Sequence, residues 1–123
     1  MNTSPEHNRK FEKMILGQIY PLYLQKISKK GRTKQELDFV ITWLTGFDSK
    51  QIESYCAENI TFKSFFEMAT INDKAAYIKG SICGYKIETL LNPLTKNVRI
   101  LDKLVDDLAK GRTLGEITNP NLR

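Results

Sequence analysis

The fold is decided by one stretch of the sequence, residues 92–111, which reads NPLTKNVRILDKLVDDLAKG. Asn92 is a favourable N-cap and Pro93 suits the first helical position. The apolar residues that follow recur at helical spacing: Leu94, Val98, Leu101, Val105 and Leu108. This spacing is typical of a dimer seam, but Ile100 and Leu104 widen the apolar face. We therefore expect a long helix packed inside a globular core.

Three further helix starts lie upstream of this stretch. Thr33 and Glu36 form a capping box, in which each side chain bonds the backbone N–H of the other residue. Asp48 and Gln51 repeat the box, and Thr61 is an N-cap candidate. Apolar residues follow each start, which predicts three short amphipathic helices.

An earlier helix is predicted over residues 19–30, with Pro21 in its first turn and Gly31 as a left-handed stop. The pattern Lys-Gly-Arg-Thr-x-x-Glu at residues 30–36 recurs at residues 110–116. Nothing else between the two copies matches. The recurrence therefore indicates the same helix stop and start, and not a duplicated domain.

Residues 73–91 allow two interpretations. One helix would align Ala76, Gly80 and Gly84 as a strip of small residues against which a neighbouring helix packs closely. Each interior glycine costs a helix about 1 kcal/mol relative to alanine. A break or a hairpin at residues 80–84 is the alternative.

Length and composition indicate one globular domain. The chain has 123 residues, of which 41% are hydrophobic and 27% charged. We predict an all-α, single-domain bundle of five or six helices with orthogonal or irregular packing. Residues 1–12 are expected to be a flexible arm, residues 13–118 the helical domain, and residues 119–123 a tail. No apolar run approaches the roughly 20 residues that span a bilayer, so we expect a cytoplasmic protein without membrane contact.

All of the net charge of +5 lies near the N-terminus, where residues 1–34 carry eight Lys or Arg against two Glu, a net +6. Free N–H groups at a helix start bind anions, and cations crowd the start at Thr33. A candidate site for an anion or nucleic acid therefore comprises Lys26, Lys29, Lys30, Arg32, Thr33 and Lys34. The Glu36 carboxylate competes for the same donors, so a solvated charged corner is the alternative.

A helix-turn-helix is a second route to nucleic acid. Residues 33–59 fit this motif with Gly46 at the turn. The second helix, however, carries Glu53 and Glu58 against Lys50, which is weak electrostatics for DNA. DNA binding is therefore a minor alternative.

Signals for catalysis are sparse. His7, the one histidine, lies in the expected arm, and no metal-ligand spacing or phosphate loop is present. Cys56 and Cys83 are expected to be buried free thiols, because a chain without export features rarely forms disulfides. We assign no catalytic residue, metal or cofactor. An enzyme would require convergence of the remaining polar candidates, which are Trp43, Thr45, Cys83, Arg99 and Asp102.

Several runs together resemble a family of short bacterial proteins known as domain of unknown function 2200. These runs are KGRTK (30–34), WLTG (43–46), ICG (82–84), PL (93–94) and LDKLVDDLAKG (101–111). The resemblance spans residues 14–117 and implies a bacterial cytosolic protein with one domain. This chain differs from the family pattern at Asn92, where relatives carry an acidic residue that also caps a helix. It implies no activity.

The functional expectation is therefore a small non-enzymatic binding or assembly module. A homodimer is possible through the helix of residues 93–110 or through the small-residue strip of residues 76–84. A binder of nucleic acid or another polyanion through residues 26–34 is the alternative. An enzyme of unknown class ranks third.

Overall fold

A computed structural model describes residues 3–122, and for Leu122 the backbone alone. Within this range the fold is mainly α, with seven α-helices: α1 Pro5–Lys13, α2 Leu16–Ser28, α3 Lys34–Thr45, α4 Ser49–Ala57, α5 Phe62–Met68, α6 Pro93–Ala109 and α7 Leu114–Thr118. A hairpin of β1 Ser81–Ile82 and β2 Tyr85–Lys86 lies between the 3-10 turns Asp73–Tyr77 and Ile87–Thr89, and a third turn spans Pro120–Leu122. No helix in the described range is long and apolar enough to cross a membrane.

Helix α6 is the centre of the bundle. Its residues Val98, Leu101 and Leu104 are almost completely buried, and α1, α2, α3, α5 and α7 all pack against it. The expectation of a core helix is confirmed. Four of the five seam residues are buried by the chain's own helices and the fifth, Leu94, is half-buried, so this face is not free to form the seam. A homodimer through another surface stays a prediction.

The predicted capping chemistry is confirmed at both copies of the repeated pattern. Thr33 accepts a hydrogen bond from the Glu36 backbone, and Thr113 accepts one from Glu116 in the same way. Gly31 and Gly111 both adopt positive φ, which glycine tolerates without strain. The two patterns therefore perform the same local task, which is to end one helix and start the next.

Helix α2 begins at Leu16, three residues before the predicted start. Its first turn has no side-chain cap, but the Leu16 N–H donates to the Ile60 carbonyl at 2.9 Å. Pro21 consequently lies inside the helix and not in its first turn. The prediction placed this start wrongly because its donor finds a partner far away in sequence.

The flexible arm expected over residues 1–12 is also wrong for residues 5–12, which lie in α1. The Ser4 hydroxyl accepts a hydrogen bond from the His7 N–H, and Pro5 occupies the first helical position. Phe11 is buried, so α1 packs as part of the domain against α5 and α6. Together with α7, this helix raises the count above the predicted five or six.

A single helix over residues 73–91 is wrong, and the hairpin alternative is confirmed. Cys83 and Gly84, the two residues between the strands, have φ of +51° and +83°. Positive φ at both positions matches the type I′ turn that closes two-residue hairpins. The strip of small residues proposed for helix packing therefore does not form.

Gly17 allows α2 to approach α4 closely. A Cβ atom at this position would lie 2.4 Å from the Cys56 carbonyl oxygen, which is backbone and cannot rotate away. We expect Gly17→Ala to lower the free energy of unfolding by about 1–3 kcal/mol, the usual cost of overpacking. Urea denaturation measures this change.

Gly115→Ala is the matched control. Gly115 lies in α7, where an added Cβ meets no heavy atom closer than 4.0 Å. Its substitution should leave the stability unchanged or slightly raised. Equal losses in both variants would show that the contact with Cys56 is not the constraint.

Candidate functional site

The basic corner predicted at residues 26–34 is largely engaged in holding the fold together. The Arg32 guanidinium bonds the Glu36 carboxylate at 2.7 and 2.8 Å. It also donates to the Leu108 carbonyl at 3.3 Å and the Arg112 carbonyl at 2.6 Å. Arg32 therefore joins the start of α3 to the end of α6.

Two lysines of the same corner form ion pairs. Lys26 lies 3.2 Å from the Asp106 carboxylate, which connects α2 to α6. Lys34 lies 2.7 Å from Asp38 and 3.2 Å from Glu53. Their positive charges are therefore compensated by carboxylates within the fold.

The backbone N–H of Thr33 at the start of α3 already has a hydrogen-bond partner as well. Glu36 accepts a hydrogen bond from the Thr33 backbone N–H at 3.0 Å, as the capping box predicts. Lys29 and Lys30 are exposed and form no ion pair among residues 3–122. They lie at the C-terminal end of α2.

Asp38 is a buried carboxylate that connects three helices. Burial opposes its ionisation, but hydrogen bonds from Lys34, Ser49 and Tyr20 outweigh that effect and hold its pKa below the ordinary value. Because Tyr20, Asp38 and Ser49 belong to α2, α3 and α4, the ionised carboxylate fixes the helix-turn-helix segment to the core.

Of the five polar candidates, Cys83, Arg99 and Asp102 come together around Tyr23. The Tyr23 hydroxyl donates to Asp102, and Arg99 lies 3.2 Å from the same carboxylate. Burial raises the pKa of Tyr23, and Asp102 raises it further, with a smaller contribution from nearby Cys83. Cys83 is exposed at the hairpin tip, which corrects the expectation of a buried thiol.

Arg99 is enclosed by aromatic rings. Its guanidinium carbon lies 4.8 Å from the centre of the Phe11 ring and 5.4 Å from that of Tyr85. His7 packs against both rings, so α1 and the hairpin meet over this cation. The sequence analysis missed His7, because it assigned residues 1–12 to a flexible arm. This cluster is packed, and its geometry is that of a structural contact.

Thr45 and Trp43 lie elsewhere and stabilise the end of α3. The Thr45 hydroxyl donates to the Ile41 carbonyl and accepts from the Phe47 N–H. The Trp43 carbonyl accepts a hydrogen bond from the Asn72 side chain at 3.2 Å. The five candidates do not form one site.

A cleft of about 470 Å³ provides a concave cationic surface that the sequence did not reveal. Lys79, Lys103 and Arg112 line it, together with Tyr77, Gly80, Asp107, Pro120 and Asn121. Among the described lining residues the one carboxylate is Asp107, which lies 3.5 Å from the Lys103 ammonium group. The Glu88 carboxylate lies close by, where it accepts a hydrogen bond from the Gly80 N–H at 3.2 Å. Lys79 and Arg112 form no ion pair among residues 3–122.

We call this surface the cationic cleft. Its residues come from the loop before the hairpin, from α6, from the junction after α6 and from the C-terminal turn. A pattern of local spacing cannot reveal such a set, because Lys79 lies 24 residues before Lys103 and 33 before Arg112. Positive charge in a concave surface is suited to bind an anionic ligand.

With this geometry established, family membership can be assigned. Residues 10–119 match the model of a family described as "Uncharacterized protein conserved in bacteria (DUF2200)". The chain belongs to this family. The resemblance expected over residues 14–117 is thereby confirmed, and the family description names no activity.

A solved structure supports the same fold. The chain is similar to the crystal structure of "uncharacterized protein SP1917", with 33% sequence identity and a TM-score of 0.83. The similarity covers 89% of this chain and 90% of the other. No curated protein matches the sequence.

Arg32→Lys tests the structural role of the basic corner. Lysine keeps the charge but cannot bond the Glu36 carboxylate and two backbone carbonyls at once. We expect the free energy of unfolding to fall by about 1–3 kcal/mol in urea denaturation. The reverse change at an exposed site, Lys30→Arg, should be neutral within about 0.5 kcal/mol. Equal stability of the two variants would contradict a structural role for Arg32.

His7 should make stability depend on pH. Its Nε2 atom is buried without a hydrogen-bond partner among the described residues. Burial lowers the pKa of His7 below 6.5, and the charges of Arg99 and Lys10 lower it further. The unfolded chain therefore binds a proton more readily, and stability falls as pH drops through 6.5.

Urea denaturation at about pH 7.5 and about pH 5.5 isolates this effect, because carboxylates titrate mainly below that window. The native chain should be less stable at the lower pH, and His7→Gln should show a smaller difference. An unchanged difference in the variant would show that another group is responsible.

Proposed function

We propose that this protein is a non-enzymatic binding module that takes a small anionic ligand in the cationic cleft. The observation that carries the proposal is the convergence of Lys79, Lys103 and Arg112 on one concavity. Two of these cations, Lys79 and Arg112, form no ion pair within the described part of the chain. The cleft holds three positive charges and one carboxylate, Asp107, so a bound anion would reduce the repulsion that remains between the cations.

The cleft explains anion binding better than the basic corner does. In the corner, Arg32 and Lys34 would have to give up partners at 2.7 Å before they could reach a ligand. In the cleft, Lys79 and Arg112 have no ion pair among the described residues to give up. The volume of about 470 Å³ also falls in the range of small-molecule sites, roughly 300–1,000 Å³.

The lining of the cleft supports binding without chemistry. Its residues include no histidine, cysteine or serine, so it lacks the usual pairing of a nucleophile with a base. Its one carboxylate, Asp107, is buried and paired with Lys103. These groups position an anion but offer no evident proton acceptor beside it.

The thiols support a reducing compartment. Cys56 and Cys83 are both free, and Cys83 is exposed at the hairpin tip. Free surface thiols persist most readily in the cytosol. We accordingly place the binding module in the bacterial cytoplasm.

Calorimetric titration with pyrophosphate at low ionic strength tests the proposal. Lys79→Gln and Arg112→Gln should each weaken binding roughly tenfold, because each removes a charge-assisted hydrogen bond. Affinity should also fall as salt is added. Lys103 is left unchanged, because its ammonium group pairs with buried Asp107 and its substitution would disturb the fold.

The double variant Lys29→Gln/Lys30→Gln is the matched control for Lys79→Gln/Arg112→Gln. Both remove two positive charges, but the control removes them from the basic corner. The control should bind pyrophosphate almost as the native chain does. Equal weakening by both pairs would indicate diffuse attraction to net charge, and no binding at low salt would exclude the proposed function.

A further inference from the structure

Tyr77 is the feature that narrows the class of ligand. Its side chain is 67% exposed, although the following residue, Ile78, is completely buried. The Tyr77 side chain lines the cationic cleft and also a second cleft of about 260 Å³. An aromatic ring therefore stands at the boundary of two adjoining concavities.

The second cleft differs from the first in character. Lys74, Asn119, Pro120 and Asn121 line it together with Tyr77. Pro120 and the tyrosine ring provide apolar surface, while the asparagines provide amide donors and acceptors. Such a wall suits a flat ring whose edge carries nitrogen and oxygen atoms, because rings stack on aromatic faces and amides bond ring edges.

We infer that the anionic ligand is a mononucleotide, with its phosphate between Lys79, Lys103 and Arg112 and its base against Tyr77 in the second cleft. This inference rests on the proposed function and specifies its ligand. One aromatic ring beside one group of three cations matches one base and one phosphate group. A nucleic acid strand would instead require a row of aromatic rings along a basic groove.

The C-terminal turn supports a small ligand. The segment Pro120–Leu122 packs against the turn Asp73–Tyr77, so the second cleft lies between two chain segments that touch. The base of a single nucleotide fits into such a recess. A polymer would have to continue past it in both directions.

Titrations with AMP and with ribose 5-phosphate test the inference, because the two probes share a sugar phosphate and differ in the base. AMP should bind roughly tenfold more tightly, as expected for one base stacked on one aromatic ring. Tyr77→Ala should abolish that difference by weakening the binding of AMP, and Tyr77→Phe should preserve it. Lys79→Gln/Arg112→Gln should weaken binding of both probes.

Leu91→Ala is the matched control, because Leu91 is an exposed large side chain that lines neither cleft. It should leave both affinities unchanged. Equal binding of AMP and ribose 5-phosphate would overturn the inference and leave anion binding intact, whereas failure of both probes and of pyrophosphate would overturn both proposals. Binding of an oligothymidylate that strengthens with length, without binding of AMP, would overturn the mononucleotide in favour of a strand.

Discussion

The burial of α6 is the constraint on which the rest of the structure depends. Its apolar residues cover more of its circumference than a single neighbouring helix can cover, so five helices and the hairpin surround it. Each large aliphatic side chain removed from water contributes about 1.5–3 kcal/mol, against a net stability of about 5–15 kcal/mol for a domain. The short elements at both ends of the chain exist to complete this cover. Helix α1 closes one side with Phe11, and α7 closes another with Ile117.

The polar edge of α6 is used as fully as its apolar face. Asp102 accepts a hydrogen bond from Tyr23 and pairs with Arg99. Asp106 forms ion pairs with Lys26 and Lys110. The Leu108 carbonyl near the end of the helix accepts a hydrogen bond from Arg32. Several of the cations that the sequence concentrates near its N-terminus are therefore engaged in contacts between helices. An excess of cations in a sequence does not by itself indicate a surface that binds anions.

Local chemistry made part of this fold predictable, and non-local contacts hid the rest. The starts at Thr33, Asp48 and Asn92 depend on residues within one turn, so the sequence shows them. The start of α2 depends on the Ile60 carbonyl, which no local pattern reveals. The same holds for the candidate site, since Lys79 and Arg112 line one cleft only because the loop before the hairpin lies beside the end of α6.

The predicted polar candidates lie at two separate locations for the same reason. Arg99 and Asp102 are one turn apart on α6, so their contact follows from helical spacing. The turn of the hairpin brings Cys83 beside them. A single long helix over residues 73–91 would not contain this turn. Trp43 and Thr45 lie on α3 and contact the segment after α5. Shared polarity in the sequence thus did not imply a shared location.

The construction of the cationic cleft separates structural residues from residues available to a ligand. Lys103 is held by buried Asp107, and Gly80 packs so closely that an added Cβ would lie 3.3 Å from the lysine chain. These contacts fix the floor of the cleft. Lys79 and Arg112 contribute no ion pair to the described part of the fold, yet they are placed at the edge of that floor. Their positions follow from the fold and neither charge is held in an ion pair there, which is why the proposed ligand is assigned to these two cations.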